Sequence, residues 1–247
     1  MRGGSARITS VDDARLQELR GAVYRGDGVA VVAAVGKRAP VEVLQLAGDG
    51  IVVAATDGVA GAAGLAELLV QALRARGWAG DEELAVELEA AVGHRPPPGL
   101  RPLGVDLEDL ADVLEAGMGE GGGLLDLTSG EVWPAVAIEY AKETDETPPD
   151  FDDPDRWLYV AAEGSHDGYE DMEAFIATLA DEDRAERLAR SINGKGAFRR
   201  FKDTVAHWPE EEWRWYRFSD ERRRGRARRW LSETGYRAVP GRANPRD

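Results

Sequence analysis

The residues best suited to chemistry lie in the last quarter of the chain. Gly194-Lys195-Gly196 opens a segment that carries Arg199, Arg200 and Lys202. Free amides at a helix start, glycines that allow close approach and neighbouring cations together suit an anion or a phosphate. The same stretch also suits plain packing, with the glycines ending one helix and Phe198, Phe201 and Val205 turned to a core. Neither a complete Walker pattern nor a dinucleotide fingerprint occurs in it.

A second constellation follows between Trp208 and Trp230. Trp213, Trp215, Tyr216, Phe218 and Trp230 are interleaved with Arg214, Arg217, Arg222, Arg223, Arg224, Arg226, Arg228 and Arg229. Aromatic faces stack on bases and guanidinium groups fork onto phosphates, so this composition suits RNA or single-stranded DNA. On a helix, Arg222, Arg226 and Arg229 fall within about 60° of one another and form one cationic stripe. The competing reading makes the tryptophans a core and pairs the arginines locally, Glu210 with Arg214 and Asp220 with Arg224, or with acids elsewhere in the chain.

Other groups offer less. Asp150, Asp152, Asp153 and Asp155 lack the central glycine and terminal glutamate of a calcium loop and read as a solvated segment. Glu170, Asp171 and Glu173 stand in the first turn of an expected helix, where its dipole alone favours acids. His94, His166 and His207 are far apart in sequence, and there are no cysteines. We therefore assign no catalytic residue, no metal site and no cofactor from the sequence, and thiolate or disulfide chemistry is excluded.

The charge distribution frames these candidates. The chain of 247 residues has a formal net charge of −15, so one uniformly basic surface is excluded. From Gly194 to Asp247, however, 15 Lys and Arg face 8 Asp and Glu, a net of +7, which leaves −22 on residues 1–193. The N-terminus has no secretory pattern and no uninterrupted apolar run of about 18 residues occurs, so we expect a cytoplasmic protein that does not enter a membrane.

The elements that must position these groups read as follows. A helix is expected from an N-cap at Ser10, with Leu16, Leu19 and Val23 on one face, ended by Arg25-Gly26-Asp27-Gly28. Val29–Val35, Val41–Ala47 and Ile51–Thr56 are apolar runs separated by glycines; strands and stacked short helices both fit, and we favour helices. Residues 62–77 and 81–92 read as a helical hairpin, the second helix presenting Leu84, Leu88 and Val92 on one side and four glutamates on the other. Pro96-Pro97-Pro98 stops it. A helix with Leu107, Leu110 and Leu114 inward ends at Gly117, and Gly119–Gly123 is a flexible connector. Leu124–Leu127 and Glu131–Val136 read as a hairpin around Thr128-Ser129-Gly130, and Trp157–Val160 as a third strand. Residues 139–156 read as a mobile acidic loop. Helices are expected over Tyr169–Leu179, Asp181–Ile192, Ala197–Trp208, Glu210–Phe218 and Asp220–Glu233.

Five short segments carry a resemblance. Val105-Asp106-Leu107 with its leucine-rich helix, Leu125-Asp126-Leu127-Thr128-Ser129-Gly130-Glu131-Val132, and Gly168-Tyr169-Glu170-Asp171-Met172-Glu173-Ala174-Phe175-Ile176 resemble the bacterial family UPF0158. Gly194 to Asp203, followed by the Arg-Trp-Tyr-Arg-Phe order within Trp213–Phe218, is the strongest match. The resemblance covers about residues 103–237 and implies an α+β domain without contributing catalytic residues. The expected fold class is thus α+β, a helical N-terminal region followed by a small antiparallel sheet and a C-terminal set of helices. The expected division is a helical extension over 1–95, a Pro-rich linker over 96–102, the UPF0158-like domain over 103–240 and a tail over 241–247.

These features lead to a non-enzymatic binding or regulatory protein whose C-terminal domain offers a cationic, aromatic surface to a nucleic acid or an acidic protein. The surface would comprise Trp213, Arg214, Trp215, Arg217, Arg222, Arg226 and Arg229. A phosphorylated-metabolite protein or enzyme using Gly194–Lys202, and a protein-interaction scaffold built on the first hundred residues, are the alternatives.

Overall fold

A computed structural model describes residues 5–36, 42–116, 121–144, 149–164 and 166–239, with side chains in the first helix described from Ala14 onward. The architecture is α+β. Five helices come first: α1 (Ser5–Tyr24), α2 (Gly28–Val35), α3 (Leu44–Thr56), α4 (Ala62–Arg76) and α5 (Asp81–Ala91). They bury Leu16, Leu19, Val31, Leu44, Ile51, Leu69, Leu73, Leu84 and Leu88 in one apolar core. The described apolar runs within 29–56 are thus helical, in α2 and α3.

Two boundaries differ from the sequence reading. The first helix starts at Ser5, ahead of Ser10, and the runs 41–47 and 51–56 contribute to one helix that passes straight through Gly48-Asp49-Gly50. Those glycines mark close packing instead of a break: a Cβ on Gly48 would stand 2.5 Å from Leu84 Cδ2, and one on Gly50 2.6 Å from Val31 Cγ1. The α4–α5 hairpin forms as expected, with Gly77 closing α4 in the left-handed region at φ 68°.

Strand β1 (Arg101–Leu103) follows the prolines and pairs in parallel with the last strand, β5 (Tyr236–Ala238), a pairing that the sequence did not announce. Helix α6 (Leu107–Leu114) is capped by the Asp106 carboxylate, which accepts from the Glu108 amide at 2.8 Å. The three-stranded antiparallel sheet has β2 (Gly123–Asp126) between β3 (Val132–Pro134) and β4 (Trp157–Val160). The Asp126 carboxylate shapes the β2–β3 turn by accepting from the amides of Thr128 and Ser129. The expected connector at Gly119–Gly123 lies partly outside the described residues, as does Gly117, and Gly123 already belongs to β2.

The expected acidic loop is also corrected. Helix α7 (Ala135–Thr144) takes up its first part, and Ala141, Phe151 and Trp157 pack together beyond it. Helices α8 (His166–Ile176), α9 (Glu182–Ser191) and α10 (Ala197–Val205) then gather around Met172, Phe175, Leu188, Phe201 and Trp215. The two helices expected over 210–218 and 220–233 are one, α11 (Pro209–Glu233), about 38 Å long. Its Trp215 enters the α8–α10 core, and its Ala227 and Leu231 enter the core of α6, β2 and β5. A third side of α11, with Glu221, Gly225 and Arg228 buried, packs on α3 and α5. One helix thus touches three of the four apolar clusters among the described residues.

Candidate functional site

Of the α11 stripe, Arg222 and Arg226 are paired with acids inside the protein, whereas Arg229 is not. Arg222 pairs with Asp171 of α8, and Arg226 donates to the same carboxylate at 2.8 Å and also to Glu115. Asp171 is fully buried, so two guanidinium groups converge on an acid that the sequence reading explained by the helix dipole alone. Arg223 pairs with Asp112 and, at 2.9 Å, with Glu115. Arg224 reaches Asp49 at 3.0 Å and also Glu108, instead of Asp220, which pairs with Arg20 at 2.8 Å. Arg217 pairs with Glu42 at 2.9 Å, and Arg214 with Glu211. Burial works against the charge on Arg226, but Asp171 and Glu115 outweigh it and raise its pKa above the ordinary arginine value.

The aromatic residues divide in the same way. Trp215 is buried edge-on against Phe201, with ring centroids 4.6 Å apart, and Trp230 and Phe218 are half-buried. Trp213 and Tyr216 are exposed. Arg229, at the end of the stripe, is exposed and has no ion pair among the described residues. It borders a cleft of about 290 Å³ that Arg222 and Arg226 also line, together with Trp78, Glu163, Asp167 and Trp230. Of the surface expected on α11, therefore, Trp213 and Arg229 are exposed, while Arg222 and Arg226 reach the cleft with their charges already paired.

The Gly194–Lys202 candidate has a different fate. Gly196 stands before α10 in the left-handed region at φ 76°, and no side chain caps the helix start. Arg200 folds back over the loop, donating to the carbonyl oxygens of Ser191 at 3.0 Å and Asn193 at 2.6 Å, and also to Lys195. Its role is to close the α9–α10 turn, so it is withdrawn from the anion-binding set. Lys195, Arg199 and Lys202 are exposed, and the Arg199 side chain is 90% exposed with Asp203 a loose 3.8 Å away. Phe201 and Val205 do fill the core, so the packing role and an open cationic face coexist on one helix.

Sequence reasoning missed two exposed arginines on α9, the helix packed against α10, one of which has Glu186 3.7 Å away. Arg187 and Arg190 of α9 are exposed, and no acid occurs between Arg187 and Lys202, a stretch with six basic residues. The uninterrupted run was the available signal, obscured by the acids Asp181, Glu182, Asp183 and Glu186 just before it. It also missed the buried carboxylates Asp49 and Glu87, the second of which it counted on an exposed face of α5. Asp150 and Asp153 accept from the amides of Asp152 and Asp155 and so shape turns.

These features define an α+β protein with an arginine-rich helix neutralised at its centre and a cationic helical pair left outside. The family described as Uncharacterised protein family (UPF0158) matches residues 100–242, and the chain belongs to it. UPF0158 protein PA5073 of Pseudomonas aeruginosa is 27% identical over 135 residues, which is 54% of this chain and 85% of that protein. No solved structure matches. Among the described residues, no helix is long and apolar enough to cross a membrane.

Proposed function

We propose that this chain is a non-enzymatic cytoplasmic binding protein that engages a nucleic acid through the α9–α10 unit. The observation that carries this reading is the exposed, acid-free cationic run containing Arg187, Arg190, Lys195, Arg199 and Lys202. Exposed Phe198 within the run, and Trp213 and Tyr216 on the neighbouring α11, add aromatic faces of the kind on which unpaired bases stack. The acids that dominate the rest of the chain oppose this only weakly, because salt screens exposed charges beyond about 8 Å at physiological ionic strength. The binding surface thus shifts from the arginine stripe to the helical pair beside it.

The test is a titration of the full chain against fluorescent single-stranded RNA and DNA at low and fourfold higher salt. Three to five phosphate contacts predict a loss of roughly 20- to 100-fold in affinity across that change. Lys195→Ala, Arg199→Ala and Lys202→Ala together should abolish most of the binding. Binding that ignores salt, or that survives the triple variant, rejects the reading. Capture of acidic peptides in place of nucleic acid would move the same surface to a protein partner.

A further inference from the structure

Beneath α11, a charged network is sealed between the first five helices and the rest of the chain. Arg228 is 1% exposed and donates through Nε to Gln45 Oε1 at 2.9 Å and through Nη2 to Asp49. Gln45 passes the network on, its Nε2 donating to Asp81 at 2.9 Å and its backbone amide to Glu221 at 2.8 Å. Arg76 closes it with bonds to Asp81 at 2.7 Å and to Glu221 at 2.9 Å. Including Arg224 on Asp49, three arginines face four carboxylates: Asp49, Asp81, Glu87 and Glu221. One carboxylate is in excess, and an uncompensated buried charge is costly.

The hydrogen bonds identify which one. Asp49 accepts from two guanidinium groups; Asp81 accepts from Arg76, Gln45 and the Trp78 amide; Glu221 accepts from Arg76 and two backbone amides. Glu87 has no hydrogen-bond donor among the described residues and stands 3.6 Å from Arg228 Nη1, itself a buried nitrogen without a hydrogen bond. We propose that Glu87 is a proton-binding site that governs how firmly the first five helices hold α11: with this carboxyl neutral, every other carboxylate of the network has a hydrogen-bonded guanidinium, and when it ionises its own charge has none.

The surroundings of Glu87 support this from each side. Arg228 of α11 and Arg237 of β5 favour its charge, while Asp49 of α3 and Glu83 of its own helix oppose it. The nearby charged groups of α4 are occupied elsewhere, Arg74 with Glu82 and Glu89 and Arg76 with Asp81 and Glu221. Burial is the largest influence and pushes the Glu87 pKa up from 4.5 to about 7. The folded state then holds a proton that the unfolded chain has already lost, so stability falls as pH rises from 4.5 through about 7 and levels off above it.

Urea denaturation of the full chain at several pH values between about 5 and about 8.5, beside Glu87→Gln, tests this. Glutamine copies the shape of the neutral acid and cannot ionise. In the wild type the folding constant should fall by up to about tenfold per pH unit below pH 7; because burial also raises the Glu221 pKa, the variant should lack the share of this fall that Glu87 contributes, and it should be the more stable protein above pH 7. Because the histidines are the same in both proteins, the difference between the curves isolates Glu87. A wild type without the slope, or a variant that keeps it in full, overturns the proposal. Should the variant fail to fold, carboxyl-labelled glutamate in the wild type provides the second reading by NMR. A resonance titrating near pH 7 supports the assignment, and glutamates titrating only in their ordinary range overturn it.

Discussion

Gly80 and Gly225 meet backbone to backbone. A Cβ on Gly80 would stand 2.2 Å from the Gly225 carbonyl oxygen, and a Cβ on Gly225 would stand 2.1 Å from that of Ala79. This approach lets α11 lie so close to the α4–α5 turn that Arg228 reaches Gln45 and Asp49. Gly225→Ala is the direct test. Alanine favours an isolated helix by about 1 kcal/mol, yet here it must push two main chains apart, and overpacking costs about 1–3 kcal/mol. A net loss in urea denaturation is expected; a neutral or stabilising result would show that the contact is not tight.

Arg228 should be among the most sensitive positions in the protein. Arg228→Met removes one side of a buried ion pair and leaves Gln45 and Glu87 without their cation. Loss of about 3–5 kcal/mol is expected. Arg199→Ala, at a side chain that is 90% exposed, should stay within about 0.5 kcal/mol of wild type. Similar losses for the two variants would contradict the division between spent and free arginines.

The β2–β3 turn carries an acid-sensitive contribution of the opposite sign to that of Glu87. Burial alone would raise the Asp126 pKa, but hydrogen bonds from Arg156, the Thr128 hydroxyl and the amides of Thr128 and Ser129 outweigh it and hold it at about 2. The turn is therefore stabilised above the ordinary aspartate range, and that stabilisation, on the order of 2 kcal/mol, disappears as pH falls from about 4 through about 2. Asp126→Asn should be less stable than wild type at pH 7 and approach it toward pH 2. A constant difference across that range would refute the assignment.

The division into residues 1–95 and 103–240 is itself a proposal, and the buried network makes its consequence measurable. A fragment of residues 96–247 lacks Gln45, Asp49, Asp81 and Glu87, leaving Arg224 and Arg228 without their buried partners. It should unfold at markedly lower urea than the full chain and regain stability when residues 1–95 are added. A fragment as stable as the whole would show that the network contributes nothing across the boundary.

The local elements were legible because their causes are local. Leucines at helical spacing marked α4, α5 and α6, Thr128-Ser129-Gly130 marked the hairpin, and short segments from Val105-Asp106-Leu107 to Trp213–Phe218, strongest over Gly194 to Asp203, carried the family resemblance. Even the cationic stripe on α11 was correct as geometry. The destination of its charge was not legible, because no periodicity encodes a partner 179 residues away, the separation of Arg228 from Asp49. The order of residues determined which faces exist, and only the docking of α11 against α3, α5, α6 and α8 decided which of them keep their charge. Burial raises the cost of an unpaired ion so far that guanidinium and carboxylate groups distant in the chain are matched in space, whereas exposed cations of α9 and α10 such as Arg190 and Arg199 lie in water with only loose pairs to neighbouring acids.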